Sequence, residues 1–485
     1  MNLRNWLLIG AVVQAGGSHA SDALTVYSEF EPGRHPQQGA NGFAVISHDR
    51  EYPLEQGVGV LKVTDVAAQI DPTTVTFQSL SDADTRVLEQ RYEYDLVSQG
   101  KLLERFAGER IVVELDRGDQ TESLSGVLLS SNDGLTLQLD DGSISTLSQW
   151  RHIRFPALPD GLITKPTLVW RLNAPRGGTQ RTRLTYQTQG MAWWADYNLL
   201  LQQGQRCSAD LNAWVSLQNQ SGASYDQARL KLVAGEVNRL QNAQSRVQTA
   251  GVRMRAMALE EADAGFEEKA FFEYHLYTLG RPIDIPDNST TQVELFPAAH
   301  DIKCRRELVV DGTRQWTYRG YPMTDSNTSG SQKMDVAVYL RLKNKEEDGL
   351  GMPLPEGRVR VSQVDPADGR VEFLGEDAIR HTPKNEELLI KVGNAFDVVG
   401  ERKRTDFRVD ENNHHLWESF QIDLRNHKEE AAEVVVLESL YRTANWEVTA
   451  RSDDFEKLNA NRIRFEISLP AGGEHQLTYT VHYTW

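Results

Sequence analysis

A nucleophile that attacks a substrate needs a base within hydrogen-bond reach, and the chain offers few arrangements of that kind. No G-x-S-x-G elbow occurs. Ser98-Gln99-Gly100-Lys101 fits the S-x-x-K spacing, but its companion motifs are missing. Metal chemistry has as little to build on, with no H-E-x-x-H and no C-x-x-C. His414-His415 is the most suggestive histidine pair, yet neighbours on a strand face opposite ways and cannot share an ion unless the backbone is irregular. Asp140-Asp141-Gly142 and Asp365-Pro366-Ala367-Asp368-Gly369 lack the spaced carboxylates and closing glutamate of a calcium loop, and read as turns. Arg117-Gly118-Asp119, an adhesion-like tripeptide, reads as a polar hairpin loop. No catalytic, cofactor-binding or metal-ligating residue is assigned. One enzymatic alternative stays open, a glycan- or peptidoglycan-handling site whose two carboxylates lie far apart in the chain.

Two further residue sets could do chemistry of another kind. Cys207 and Cys304, the only cysteines, are 97 residues apart. They form either a disulfide closing a long loop or two buried thiols acting as small apolar side chains. Of the ten tryptophans, Trp150, Trp193, Trp194, Trp316 and Trp446 are candidates for stacking on sugar rings; the competing role is core packing. Trp193 and Trp194 are adjacent, so on a strand they point to opposite faces, with one of them in the core.

Charge narrows the partners. Asp and Glu number 69 against 52 Lys and Arg, a net charge of −17, with no cationic stripe of the kind that displaces counterions from nucleic acid. The basic run Glu401-Arg402-Lys403-Arg404 sits among acids and reads as a solvated strand end. At the start, Arg4, the apolar run Trp6 to Val13 and Ser18-His19-Ala20 have the layout of a secretory signal over 1–20. The expected location is therefore outside the cytoplasm, in the periplasm or on the cell surface. No other stretch approaches the ~20 apolar residues of a spanning helix, so no integral membrane segment is expected after signal removal.

The elements that position these residues show period-two alternation, the mark of strands with one face on a core. Leu135, Leu137 and Leu139 show it, as do Val336, Val338, Leu340 and Leu342. So do Leu416, Phe420, Ile422 and Leu424, and Ile463, Phe465, Ile467 and Leu469. Turn clusters separate such runs, which predicts an all-β fold of serial sandwich domains. Residues 21–105 form an N-terminal β domain. Within it Tyr92, Tyr94 and Leu96 alternate, with Leu88 on the same face, and a short helix lies near Ser98 to Phe106 with Leu102, Leu103 and Phe106 on its apolar side. Residues 106–157 hold five short strands punctuated by Asn132-Asp133-Gly134 and Asp140-Asp141-Gly142, hairpin signals that suggest a small SH3-like barrel. Residues 166–485 form a C-terminal sandwich region with a mobile insertion at about 241–269 and a flexible loop at Thr324 to Gln332. The final strand, Leu477, Tyr479, Val481, Tyr483 and Trp485, ends like an outer-membrane barrel strand, which keeps that architecture as a further alternative.

Several phrases are shared with a known family. Gly190-Met191-Ala192-Trp193-Trp194-Ala195-Asp196-Tyr197 resembles the G-x-x-W-x-A-x-Y phrase of the bacterial domain of unknown function 4139 family. Leu232-Val233-Ala234-Gly235-Glu236-Val237 is similar to its L-x-x-G-x-V strand end. Tyr274 to Tyr277, Arg281 to Pro286, Pro353 to Val361 and Phe373 to Asp377 resemble further stretches in the same order. The resemblance covers roughly 166–485 and implies an exported β-rich protein, with no catalytic motif to carry over. The expected function is binding or scaffolding in the bacterial envelope, with a protein or a glycan as partner.

Overall fold

A computed structural model describes residues 21–28, 42–117, 120–159, 161–203, 206–235, 237, 265–313, 316, 318–327 and 332–485. The signal assignment over 1–20, the centre of the Arg117-Gly118-Asp119 loop, residues 241–264 of the insertion and residues 328–331 of the Thr324–Gln332 loop lie outside them. The chain is nearly all β: strands in five sheets, and a single α-helix among the described residues.

The N-terminal sandwich is assembled from distant pieces of sequence. Its eight-stranded sheet runs Phe266–Phe271, Tyr274–Leu279, Tyr225–Ala234, Ser21–Tyr27, Phe43–Leu54, Gly178–Gln189 and Ile70–Ser79, with Ile283–Ile285 also beside Tyr225–Ala234. Ser21–Tyr27 pairs in parallel with Tyr225–Ala234 across some two hundred residues, Leu24 opposite Leu230. A three-stranded sheet of Gly57–Val63, Thr167–Ala174 and Arg86–Glu93 completes it. The division expected between 21–105 and 166–485 therefore does not separate the sheets. Phe266–Lys269, assigned to the insertion, is part of an edge strand. On Arg86–Glu93 the expected apolar face also fails. Leu88 and Tyr94 are 46 and 72% exposed, because the ladder to Thr167–Ala174 slips opposite Leu88 and the strand stops at Glu93.

Residues 110–154 make a separate open sheet of five antiparallel strands in the order His152–Arg154, Arg110–Arg117, Gln120–Ser130, Leu135–Leu139, Ile144–Leu147. Both hairpin signals form turns: Asp133 at φ 55° and Gly142 at φ 85° take up the left-handed conformations that Asn/Asp-Gly pairs tolerate. Leu103 from the helix Gln99–Arg105 and its C-cap Phe106 close the core over Ile111, Val113 and Leu137.

The remaining chain builds on one 22-residue strand, Ser289–Val310. Its first part pairs with Ser208–Asn219 up to Lys303. From Cys304 it pairs with Val336–Lys343, and Leu308 to Val310 pair in parallel with Ala432–Ser439. The resulting ten-stranded sheet also holds Val371–Ile379, Gly357–Val364, Met191–Leu201, Glu387–Asn394, Arg462–Leu469 and Phe455–Asn459. A second sheet of Gln332–Met334, Val398–Asp410, His415–Asn426, Glu474–Thr484 and Asn445–Arg451 packs over its far end. Leu477, Tyr479, Val481 and Tyr483 are at most 2% exposed there. The terminal strand thus faces a sandwich core rather than lipid, and lies inside its sheet rather than closing a barrel.

Candidate functional site

Along the last residues of Ser289–Val310, beyond the point where it changes partners, lies an open cleft of about 920 Å³. Its floor is the outward face of three paired strands, with Val309 opposite Ala337 on one side and Val435 on the other. Tyr339 and the exposed Leu389 stand on one wall and Leu458 on the opposite one. Charged groups alternate around this apolar floor, including Arg341, Lys391, Arg462 and Arg464 against Glu307, Asp311, Asp335 and Asp377.

Those charges are largely neutralised in place. Glu307, 5% exposed, receives Arg341 through Nε at 2.8 Å and Nη2 at 3.0 Å. The guanidinium beside it holds the Glu307 carboxyl below the usual range and raises Arg341 in return. Arg341 Nη1 also reaches Glu387 at 2.7 Å. Arg462 pairs with Asp311, and Asp377 accepts the Lys391 backbone N–H at 2.7 Å. Retaining or inverting glycoside hydrolysis uses an acid whose pKa is pushed up beside a second, ionised carboxylate. Among the described residues, the carboxyls that depart from their ordinary values move down: Asp22, Asp49, Asp82, Asp95, Asp141, Asp284, Glu307, Asp410 and Asp423.

Cys207 and Cys304 are disulfide-bonded and line a neighbouring hollow of about 490 Å³ with Arg206, Arg305, Arg306 and Lys428. Ser98 is the N-cap of the helix and accepts the Lys101 backbone N–H, while the Lys101 ammonium pairs with Asp95 and Glu104. The S-x-x-K spacing is therefore a capping device.

The tryptophans divide sharply. Trp193 and Trp194 are both buried, at 0 and 6% exposure, because the strand is covered on both faces from Met191 to Tyr197. Their indole N–H groups donate to the Val233 carbonyl and to Asp196. Neither can meet a sugar. Trp150 packs on the small core, Trp316 stacks on Tyr441, and Trp446 donates to the Ala460 carbonyl beneath the Lys457 ammonium. Outside the proposed five, Trp170 donates to Gln90, Trp417 lies between Arg408 and His482 and Trp485 meets His414 edge-on. Trp214 differs. It is 38% exposed and has no hydrogen bond, ring neighbour or stacked cation among the described residues. Sequence reasoning passed over it because it lies in an ordinary alternating strand.

His414 and His415 do not converge. His414 sits at φ 60°, whereas His415 Nδ1 lies 2.8 Å from Nε2 of His482 on the adjacent strand. No cluster of three metal-ligating side chains occurs among the described residues. One imidazole of the pair donates and the other accepts, so protonating both sets two cations face to face. Burial, then His415 and Arg408, lower the His482 pKa, against a counter-pull from Glu447, and Asp410 faces His415. A histidine held below its ordinary value near 6.5 contributes stability above that pH, which is lost as pH falls through the folded-state value. The urea midpoint should therefore drop between pH 7.5 and 5.5, and His482→Gln should reduce that drop. An equal drop in the variant would place the acid sensitivity elsewhere.

The run around Arg402 is also not a solvated strand end. Arg402 is 1% exposed and bound to Glu438 in the sandwich interior. Its β-strand neighbours Lys403 and Glu401 do point to solvent, which is what the charged run displays. Comparison with protein-family models and with curated proteins finds no match to this chain.

Proposed function

We propose that this protein is an exported, non-catalytic member of the domain of unknown function 4139 family, and that it works by binding a partner in the bacterial envelope. The cleft on Ser289–Val310 carries this reading. It combines an apolar floor with a rim whose Arg341, Arg462 and Arg464 are held in ion pairs, the composition of a recognition surface rather than of a reacting centre. A rim of this kind contributes selectivity and orientation, while Tyr339, Leu389 and Leu458 supply the apolar contact. The disulfide fits an oxidising compartment. Among the described residues no helix is long and apolar enough to cross a membrane.

Site-specific photo-crosslinking in intact cells tests this. A photoreactive residue at Leu389 or at Leu458 should capture one common species, and one at Val60, exposed on the three-stranded sheet, should not. Charge reversal at Lys391 should weaken that capture about tenfold, the loss of roughly 1.4 kcal/mol. Identical capture from all three positions would remove the cleft from consideration. Release of the protein by osmotic shock is the expected fractionation result; retention in the cytoplasm would overturn export.

A further inference from the structure

We infer that the outward face around Trp214 is a binding site for a neutral glycan. Trp214 projects from Ser208–Asn219, between Asp196 and Glu294 on the neighbouring strands. One row along, Asn212 pairs with Asn198, which pairs with Arg360. An unpartnered indole thus lies about 7 Å, two residues of strand rise, from a row of exposed amides and a guanidinium.

Three observations point to a sugar. First, Trp214 is the one exposed tryptophan among the described residues, at 38%, and no hydrogen bond, ring neighbour or cation engages it. Second, its cross-strand neighbours Asp196 and Glu294 and the next row of Asn212, Asn198 and Arg360 are polar, while Trp194 on the other side is buried. A protein hot spot surrounds its aromatic anchor with water-excluding contacts; a pyranose has an apolar C–H face for the ring and a rim of hydroxyls for donors and acceptors, which is what this face supplies. Third, the ladder between Ser208–Asn219 and Ser289–Val310 shifts register three times between Ala209 and Trp214. Bulges of this kind re-aim side chains and recur beside binding sites.

The local charge selects the ligand class. Arg358 donates to Asp196 from Nε and Nη2 at 3.3 and 3.1 Å, and Arg360 approaches the same carboxylate at 3.3 Å. Asp196 also accepts from Trp194 and Ser216, which fixes it beneath the face. The two guanidiniums are balanced by Asp196 and by Glu376, 3.9 Å from Arg360, leaving no surplus positive charge for a phosphate or uronate. Asn198, Asn212 and Glu294 remain for hydroxyls.

This site lies apart from the cleft and does not depend on it. The full-length protein should be screened against an array of neutral oligosaccharides, including β-1,4-linked glucose and N-acetylglucosamine hexamers, with an oligouronate as comparison. Titration calorimetry then follows the best neutral binder. Trp214→Ala should weaken binding at least tenfold and Trp214→Phe less, while Asn198→Ala with Asn212→Ala should cost about three- to tenfold. Thermal unfolding should be unchanged, since Trp214 holds no core contact, so a loss of binding cannot be read as a loss of fold. Binding to none of the neutral sugars would overturn the proposal. So would preference for the oligouronate, undiminished binding by Trp214→Ala, or capture of a protein by a photoreactive residue at Asn212. None of these results bears on capture at Leu389 and Leu458, so the two readings fail separately.

Discussion

Replacing Glu438 by alanine should destabilise the C-terminal sandwich by about 3–5 kcal/mol, the range for removing one partner of a buried ion pair. Glu438 is fully buried on one sheet, and Arg402 reaches it from the other, with Nε 3.1 and 3.2 Å from the two carboxylate oxygens and Nη2 3.0 Å from Oε2. The Tyr479 hydroxyl donates to the same carboxylate, and the Arg402 guanidinium lies 3.8 Å over the Phe420 ring. Burial alone would lower the Arg402 pKa, but the Glu438 charge and hydrogen bonds outweigh it and raise the value. Glu438→Ala therefore leaves a cation that stays ionised in an apolar interior. The double variant Arg402→Met, Glu438→Leu should regain most of the loss in urea unfolding, because it removes both desolvation penalties together. A cost under about 1 kcal/mol for Glu438→Ala would show that water reaches the pair.

A second device of this type lies nearby. Arg442 grips Glu418 at 2.7 and 3.1 Å, and its other nitrogen donates to the Met323 and Asp325 carbonyls. This ties part of the Thr324–Gln332 loop, expected to be flexible, to the sandwich.

These pairs mark where sequence reading stops. Alternation located Leu416, Phe420, Ile422 and Leu424, and Ile463 to Leu469, in the core, since period two reports directly on a strand with one buried face. It says nothing about partners. Leu24 meets Leu230, and Arg402 meets Glu438 across the sandwich, for reasons held in the three-dimensional topology. Pattern also misleads where both faces are covered, as at Trp193 and Trp194, or where an alternating charge points inward, as at Arg402. The candidate surfaces were less legible still. Val309, Tyr339, Leu389 and Leu458 reach one cleft from four separate strands, and Trp214 stands out only because the other described indoles are seen to be more deeply covered.

Converting both Cys207 and Cys304 to serine should cost about 4–5 kcal/mol of global stability, the chain-entropy value for opening a loop of 97 residues. The argument rests on the unfolded state. In the native sheet the two residues are neighbours without the bond: Ser208 pairs with Lys303, and the Cys304 N–H donates to the Cys207 carbonyl at 3.2 Å. Native hydrogen bonding should thus survive the substitution, and the loss should come from a freer denatured chain. The enclosed loop carries Tyr225–Ala234 and Tyr274–Leu279 of the first sandwich and the first half of Ser289–Val310, so the bond constrains pieces that must find partners in two different sheets. The urea midpoint of the double variant should match that of the wild type unfolded under reducing conditions, with backbone circular dichroism of the native state unchanged. A loss below about 1 kcal/mol would mean that the reduced, unfolded chain already keeps the two segments together. Because this bond closes the ladder at the point where Ser289–Val310 turns from one set of partners to the next, folding in a reducing compartment would remove the constraint where the two halves of the ten-stranded sheet meet.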